Sequence, residues 1–194
     1  DGGQPATLTS PALGGVVVRE GVAYYFGRFP DVLLALPLMG DAGPSALASE
    51  LPGPMVTDGQ SLFWVDPIHQ LVKSMALDGG PVVVLAADSV PMALAVDDDQ
   101  LYWTSLVGVR RIAKTGGLVR TLYVAAQADT RLGIAVDHES VFFTNWGEYT
   151  VRKVSKDGGT CTLLSPDQVS PAGIMVAGDF VYWLGSKGLL RIAK

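Results

Sequence analysis

Few residues in this chain could do chemistry. His69 and Asp66 share one short segment, Asp66-Pro67-Ile68-His69-Gln70, and a carboxylate beside an imidazole is part of a base-assisted nucleophile. The nucleophile itself is missing, because no serine stands in a G-x-S-x-G setting. Asp97-Asp98-Asp99 has the look of a cation site. Calcium takes about six to eight oxygens, however, and an aspartate in a turn bonds its own backbone first. Trp146, Glu148 and Tyr149 lie within Asn145-Trp146-Gly147-Glu148-Tyr149, and Arg28 and Phe29 within Gly27-Arg28-Phe29-Pro30-Asp31. Trp, Tyr and Arg dominate binding hot spots, and an exposed aromatic face also stacks on sugars. Cys161 is the only cysteine, so no disulfide forms within the chain. The inventory points to binding: no catalytic residue, no metal and no cofactor is expected.

Composition narrows the elements that position these side chains. Of 194 residues, 48% are hydrophobic and only 17% charged, with 23 glycines and 12 prolines. That excludes a disordered chain, and the scattered Gly and Pro exclude a coiled coil. The longest apolar run, Val32 to Met39, holds Pro37 and is far short of the about 18 residues of a membrane span. A net charge of −5 lacks the basic footprint of a nucleic-acid binder.

A repeat decides the architecture. An aromatic pair recurs as Tyr24-Tyr25, Phe63-Trp64, Tyr102-Trp103, Phe142-Phe143 and Tyr182-Trp183, in steps of 39 or 40 residues. An acid precedes three of the pairs, at Asp58, Asp97 and Asp137, where Arg19 and Ala177 stand in the other copies. Glycine turns follow at Gly40, Gly79-Gly80, Gly116-Gly117 and Gly158-Gly159. Each unit reads as four short strands rich in Val, Ile, Thr and aromatics. Four strands per roughly 40 residues is a propeller blade, buried on both faces by its neighbours. The expected fold is all-β: a five-bladed β-propeller with four antiparallel strands per blade. The blades span 15–53, 54–92, 93–132, 133–172, and 173–194 completed by 1–14. The segment Asp1-Gly2-Gly3 matches Asp157-Gly158-Gly159, so the N-terminal strand is expected to close the last blade.

Ala95-Val96-Asp97 with Leu101-Tyr102-Trp103-Thr104 resembles the YWTD-type propeller repeat. So do Ile134-Ala135-Val136-Asp137, Val141-Phe142-Phe143-Thr144-Asn145 and Lys156-Asp157-Gly158-Gly159. NHL-type and secreted bacterial propellers are the broader relatives. The aspartate of the motif is kept only at Asp66; Gly27, Ser105, Asn145 and Gly185 replace it. The resemblance implies a binding scaffold, often for proteins, and an extracytoplasmic or secreted location, although fold alone does not give function.

In such a blade the two-to-three and four-to-one loops share one rim. The other rim carries repeated Asp tips and Asp-Gly-Gly turns, with His138 solvated in one of them. The first rim is where the copies diverge, and loops on a rigid scaffold are where binding residues concentrate. The candidate ligand-binding residues are therefore Arg28, Phe29, Asp66, His69, Arg131, Trp146, Glu148, Tyr149 and Lys187. The first strands begin with apolar residues such as Met55-Val56 and Ile134-Ala135, so no metal site is expected at the channel mouth. The leading expectation is a non-catalytic, monomeric scaffold for a protein or peptide partner. The alternatives are a carbohydrate-binding propeller and, third, a metal-dependent lactonase or lyase.

Overall fold

The computed structural model describes residues 12–28, 30–126 and 133–194. Every regular element within them is a strand, and no helix long and apolar enough to cross a membrane occurs there. Blade 1 holds β1 (Ala12–Arg19), β2 (Val22–Gly27), β3 (Val32–Pro37) and β4 (Ser45–Ala48). Blade 2 holds β5 (Met55–Thr57), β6 (Ser61–Asp66), β7 (Leu71–Ala76) and β8 (Val83–Ala87). Blade 3 holds β9 (Ala93–Val96), β10 (Gln100–Ser105), β11 (Gly108–Ala113) and β12 (Arg120–Val124). Blade 4 holds β13 (Ile134–Val136), β14 (Ser140–Asn145), β15 (Thr150–Ser155) and β16 (Thr162–Ser165). Blade 5 holds β17 (Ala172–Ala177), β18 (Phe180–Gly185) and β19 (Gly188–Ala193). Each sheet is an antiparallel meander in chain order. The first strands β1, β5, β9, β13 and β17 pack one on the next, which makes them the inner strands of a five-bladed β-propeller.

Two boundaries differ from the repeat arithmetic. The repeat puts Ala12 and Leu13 in the last blade, but they pair with Gly27 and Phe26 in the first, beyond a bulge that ends at Val16. It ends blade 4 at Ala172, which instead opens β17 opposite Leu184, again beyond a bulge. In both cases the bulge lets an inner strand bend and continue pairing. The expected closing strand falls in residues 1–11, outside the described residues. Among the described residues the fifth sheet has three strands, and β17 and β1 do not form a packed pair like the other inner strands.

Alternation along each strand gives every blade a front, toward the preceding blade, and a back, toward the next. The back of blade 2 (Phe63, Val65, Val72, Ala86) meets the front of blade 3 (Leu94, Leu101, Trp103, Ile112). The back of blade 3 (Ala95, Tyr102, Val109, Leu122) meets the front of blade 4 (Ile134, Val141, Phe143, Val154). In blades 1 to 4 both residues of the aromatic pair are thus core, whereas in blade 5 Trp183 is buried and Tyr182 only half-buried. Tight turns close the third hairpin: Gly158 and Gly159 take φ of 88° and 101°, a region open to glycine at no steric cost.

The recurring acid is explained by the next blade. Asp97 Oδ1 accepts the backbone N–H groups of Asp99 and Gln100, as an aspartate in a turn does. Its Oδ2 accepts the Tyr102 hydroxyl at 2.9 Å and the Lys156 ammonium of blade 4. Asp58 takes Lys114 of blade 3 at 2.7 Å, and Asp137 takes Lys194 of blade 5 at 2.8 Å. Burial opposes the charged form at each of the three. The lysine and the two backbone donors outweigh it and hold each carboxyl below its ordinary pKa. The same bridges account for the lysine that follows the third strand in blades 3, 4 and 5.

Candidate interaction rim

Backbone bonds confirm the pairing of loops. Asp88 N–H donates to Gln70 O at 2.9 Å, Leu106 N–H to Ser89 O at 3.1 Å, and Gln168 N–H to Tyr149 O at 2.7 Å. Each joins a two-to-three loop to a four-to-one loop on one rim.

On blade 2 the rim carries a buried network. Asp66 ends β6 fully buried; Oδ1 accepts the His69 N–H at 2.9 Å and Oδ2 lies 2.8 Å from His69 Nδ1. Lys73, from β7, donates to Asp66 Oδ2 at 3.0 Å and to Glu50 Oε2 at 2.6 Å. Burial raises the Asp66 pKa, but the His69 backbone and ring and the Lys73 ammonium more than reverse it, so the carboxyl lies below its ordinary range. Burial likewise works against charged Lys73, and its two carboxylates more than compensate and raise its pKa. The His69 side chain is 61% exposed. Asp66 is therefore closed to solvent, and it orients an imidazole that is open to it. Lys73 was not anticipated from sequence. Its signal is its register: it pairs across from Trp64, as Arg110 pairs across from Trp103 and Arg152 from Phe143.

The neighbouring blades repeat the theme. Asp88 Oδ2 accepts the Trp103 indole N–H at 2.7 Å and lies 2.9 Å from Arg110 Nε. Trp183 Nε1 finds Gln168 Oε1 at 3.1 Å. Trp64 Nε1 has no such acceptor: the shorter Ser49 stands where Asp88 and Gln168 stand in the other copies.

On blade 4 the loop is built for rigidity. Asn145 Oδ1 accepts the Glu148 N–H at 2.8 Å. The Glu148 carboxylate lies 2.9 Å from Arg152 Nη2 and accepts the Tyr123 hydroxyl at 3.1 Å. Burial outweighs the nearby Arg152 charge at Tyr123, and with the Glu148 carboxylate it pushes the phenol up to about 12. Glu148 is therefore committed to holding the loop. Tyr149 sits at φ 56°, and its neighbour Trp146 lies 6.4 Å away between ring centroids. Tyr149 is 49% exposed. Arg28 and Lys187 are exposed on the corresponding loops of blades 1 and 5. Phe29 and Arg131 lie outside the described residues.

The opposite rim holds a cleft of about 870 Å³ between blades 3 and 4, lined by Asp97, Arg111, Asp137, His138 and Lys156 among others. Asp97 and Asp137 are engaged in the bridges described above, and the His138 side chain is solvated. Among the described residues no three His, Cys, Asp or Glu side chains gather as metal ligands do.

No family model matches the chain. Solved structures do. The nidogen of a nidogen–laminin complex, a YWTD propeller, superposes with a TM-score of 0.71 at 16% identity, over 90% of this chain and 72% of that one. Virginiamycin B lyase from Staphylococcus aureus gives a TM-score of 0.71 at 14% identity, over 97% of this chain and 72% of that one. A streptogramin B lyase gives 0.74 at 14% identity, over 92% of this chain and 64% of that one. These likenesses establish the fold, and the fold is a β-propeller.

Proposed function

We propose that the chain is a non-catalytic scaffold that recognises a protein or peptide through the loop rim, with Tyr149 and Trp146 at the centre of the contact. One observation carries the reading: a half-exposed tyrosine stands on a turn that Asn145, Glu148 and Arg152 already brace. An aromatic anchor that is rigid before binding loses little entropy on contact, which is what a hot spot requires. A fold relative seen in complex with laminin supports the choice of partner class. The same reading puts the chain outside the cytoplasm. The test is affinity capture with the immobilised chain, followed by titration of the purified partner. Tyr149→Ala and Trp146→Ala should each weaken binding about tenfold, about 1.4 kcal/mol. Unchanged affinity in both variants would reject the rim. Saturable binding on a glycan array, lost in Trp146→Ala, would replace the partner with a carbohydrate.

A second reading has its own observation. His69 Nδ1 is held by a buried carboxylate while much of the ring meets solvent, an arrangement suited to a general base. Two of the fold relatives are lyases. Turnover of a lactone or cyclic ester by the chain, lost in His69→Ala, would make this an enzyme.

A further inference from the structure

We infer that Arg111 and Arg120 of blade 3 form a clamp for a phosphate monoester, away from the rim that carries Tyr149. The two arginines are direct cross-strand partners, Arg111 on β11 and Arg120 on β12. Like charges placed opposite each other weaken a sheet. None of the other four-stranded sheets pairs two charges there: the equivalent pairs are Ala35 with Ser45, Ser74 with Val83, and Lys153 with Thr162. A charge on an edge strand deters the addition of a further strand. An acid at position 120 would do that and attract Arg111 as well, whereas arginine adds repulsion.

Neither guanidinium is well neutralised. Arg110 is bound to Asp88, but Arg111 has only Asp157 at 3.6 Å, and that carboxylate is 92% exposed. Arg111 also touches the Tyr102 phenol, which is committed to Asp97. Among the described residues no acid stands at ion-pair distance from Arg120. The Arg111 side chain is only 17% exposed, so its charge is thinly hydrated. Both arginines line a cavity of about 300 Å³ with Gln100 and Leu118. Gln100 and Arg111 also line the larger cleft between blades 3 and 4, so Arg111 stands between two open spaces.

The ligand class follows from charge and shape. Two adjacent guanidinium forks call for two negative charges and more than two oxygens, which a carboxylate does not supply. A phosphate monoester carries a charge of about −1.5 to −2 at neutral pH and three acceptor oxygens. Arginine forks take such oxygens in pairs. Leu118 is largely exposed in the same cavity and offers an apolar contact to the carbon side of the ester. Asp157 is the competitor, the acid that the phosphate displaces from Arg111.

Isothermal titration calorimetry of the chain tests this with an alanine-flanked phosphoserine peptide, glucose 6-phosphate, inorganic phosphate and methyl sulfate. At least one ester should bind saturably, and which one is preferred tells a phosphorylated protein from a phosphorylated small molecule. Methyl sulfate, with a single charge, should bind about tenfold more weakly. Inorganic phosphate, with no carbon side to meet Leu118, should also bind more weakly. Arg111→Gln and Arg120→Gln should each weaken ester binding about tenfold. Asp157→Asn should tighten it, and Lys153→Gln, the equivalent place on blade 4, should leave it unchanged. Without ligand, Arg120→Gln should raise the urea midpoint, because it removes a repulsion. Absence of ester binding overturns the proposal, as does binding that survives both arginine variants. So does methyl sulfate or inorganic phosphate binding as tightly as the esters, or a urea midpoint that falls in Arg120→Gln. The clamp does not involve the rim of Tyr149, so its failure leaves the rim reading untouched.

Discussion

The back of blade 4 and the back of blade 5 share one register and differ in what lies beyond them. On blade 4 a threonine and a valine, Thr144 and Val151, are fully buried, and Thr144 Oγ1 accepts the Gly133 N–H at 2.8 Å. On blade 5 the same two places hold leucines, which are more apolar and yet largely exposed. Burial in a propeller is therefore set by whether a neighbouring blade is present, not by side-chain hydrophobicity. The polar residue inside is tolerated because its hydroxyl is satisfied. Among the described residues, the leucines of blade 5 are the same kind of inventory with no blade packed on them.

The sharpest way to break this comparison is a charge. Val151→Asp should cost about 3–5 kcal/mol in urea unfolding, because the carboxylate has no partner in a closed interface. Leu189→Asp, at the same place one blade on, should stay within about 0.5 kcal/mol under dilute conditions. Next in size are the bridges. Asp97→Ala removes the acceptor for Lys156, Tyr102 and two backbone donors and should cost about 1.5–3 kcal/mol. A double-mutant cycle with Lys156→Ala should return a coupling of at least about 0.5 kcal/mol. Thr144→Val leaves the Gly133 N–H unpaired and should cost about 1–3 kcal/mol, against almost nothing for Leu184→Thr.

The smallest effect is on pH. Asp58, Asp97 and Asp137 have folded pKa values below the ordinary 3.8. Their stabilisation is complete above that value and is lost as pH falls through the lowered ones. Thermal stability should hence fall in acid, and less steeply once all three are changed to asparagine. Lys73 works at the other end. Its raised pKa makes its contribution complete below the ordinary 10.5, and the contribution is lost as pH rises through the higher folded value.

The sequence displays its blades openly because a repeat averages over local ambiguity. Five aromatic pairs and the Asp-Gly-Gly turns mark strands that a single copy, such as Val83–Ala87, would leave uncertain. Contacts within one loop were equally legible, as with Asp66 and His69. Contacts between blades were not. The acid at Asp97 is visible as a periodic residue, but its partner Lys156 lies 59 positions away and belongs to it only once the blades are stacked. Lys73 is hidden in the sequence for the same reason, since its acids, Glu50 and Asp66, come from two blades. Glu148 looked like a ligand contact because its loop is exposed in outline. Only the positions of Arg152 and Tyr123 show it to be a brace.

Hydrogen exchange of the native chain, read amide by amide, separates blade 4 from blade 5. β14 and β18 have the same length and register, so their bonding is matched while their covering is not. β14 should exchange at the rate of global unfolding, and β18 faster, because blade 5 opens by itself. Equal protection of β14 and β18 would contradict this, for the back of blade 5 would then be as well covered as the rest.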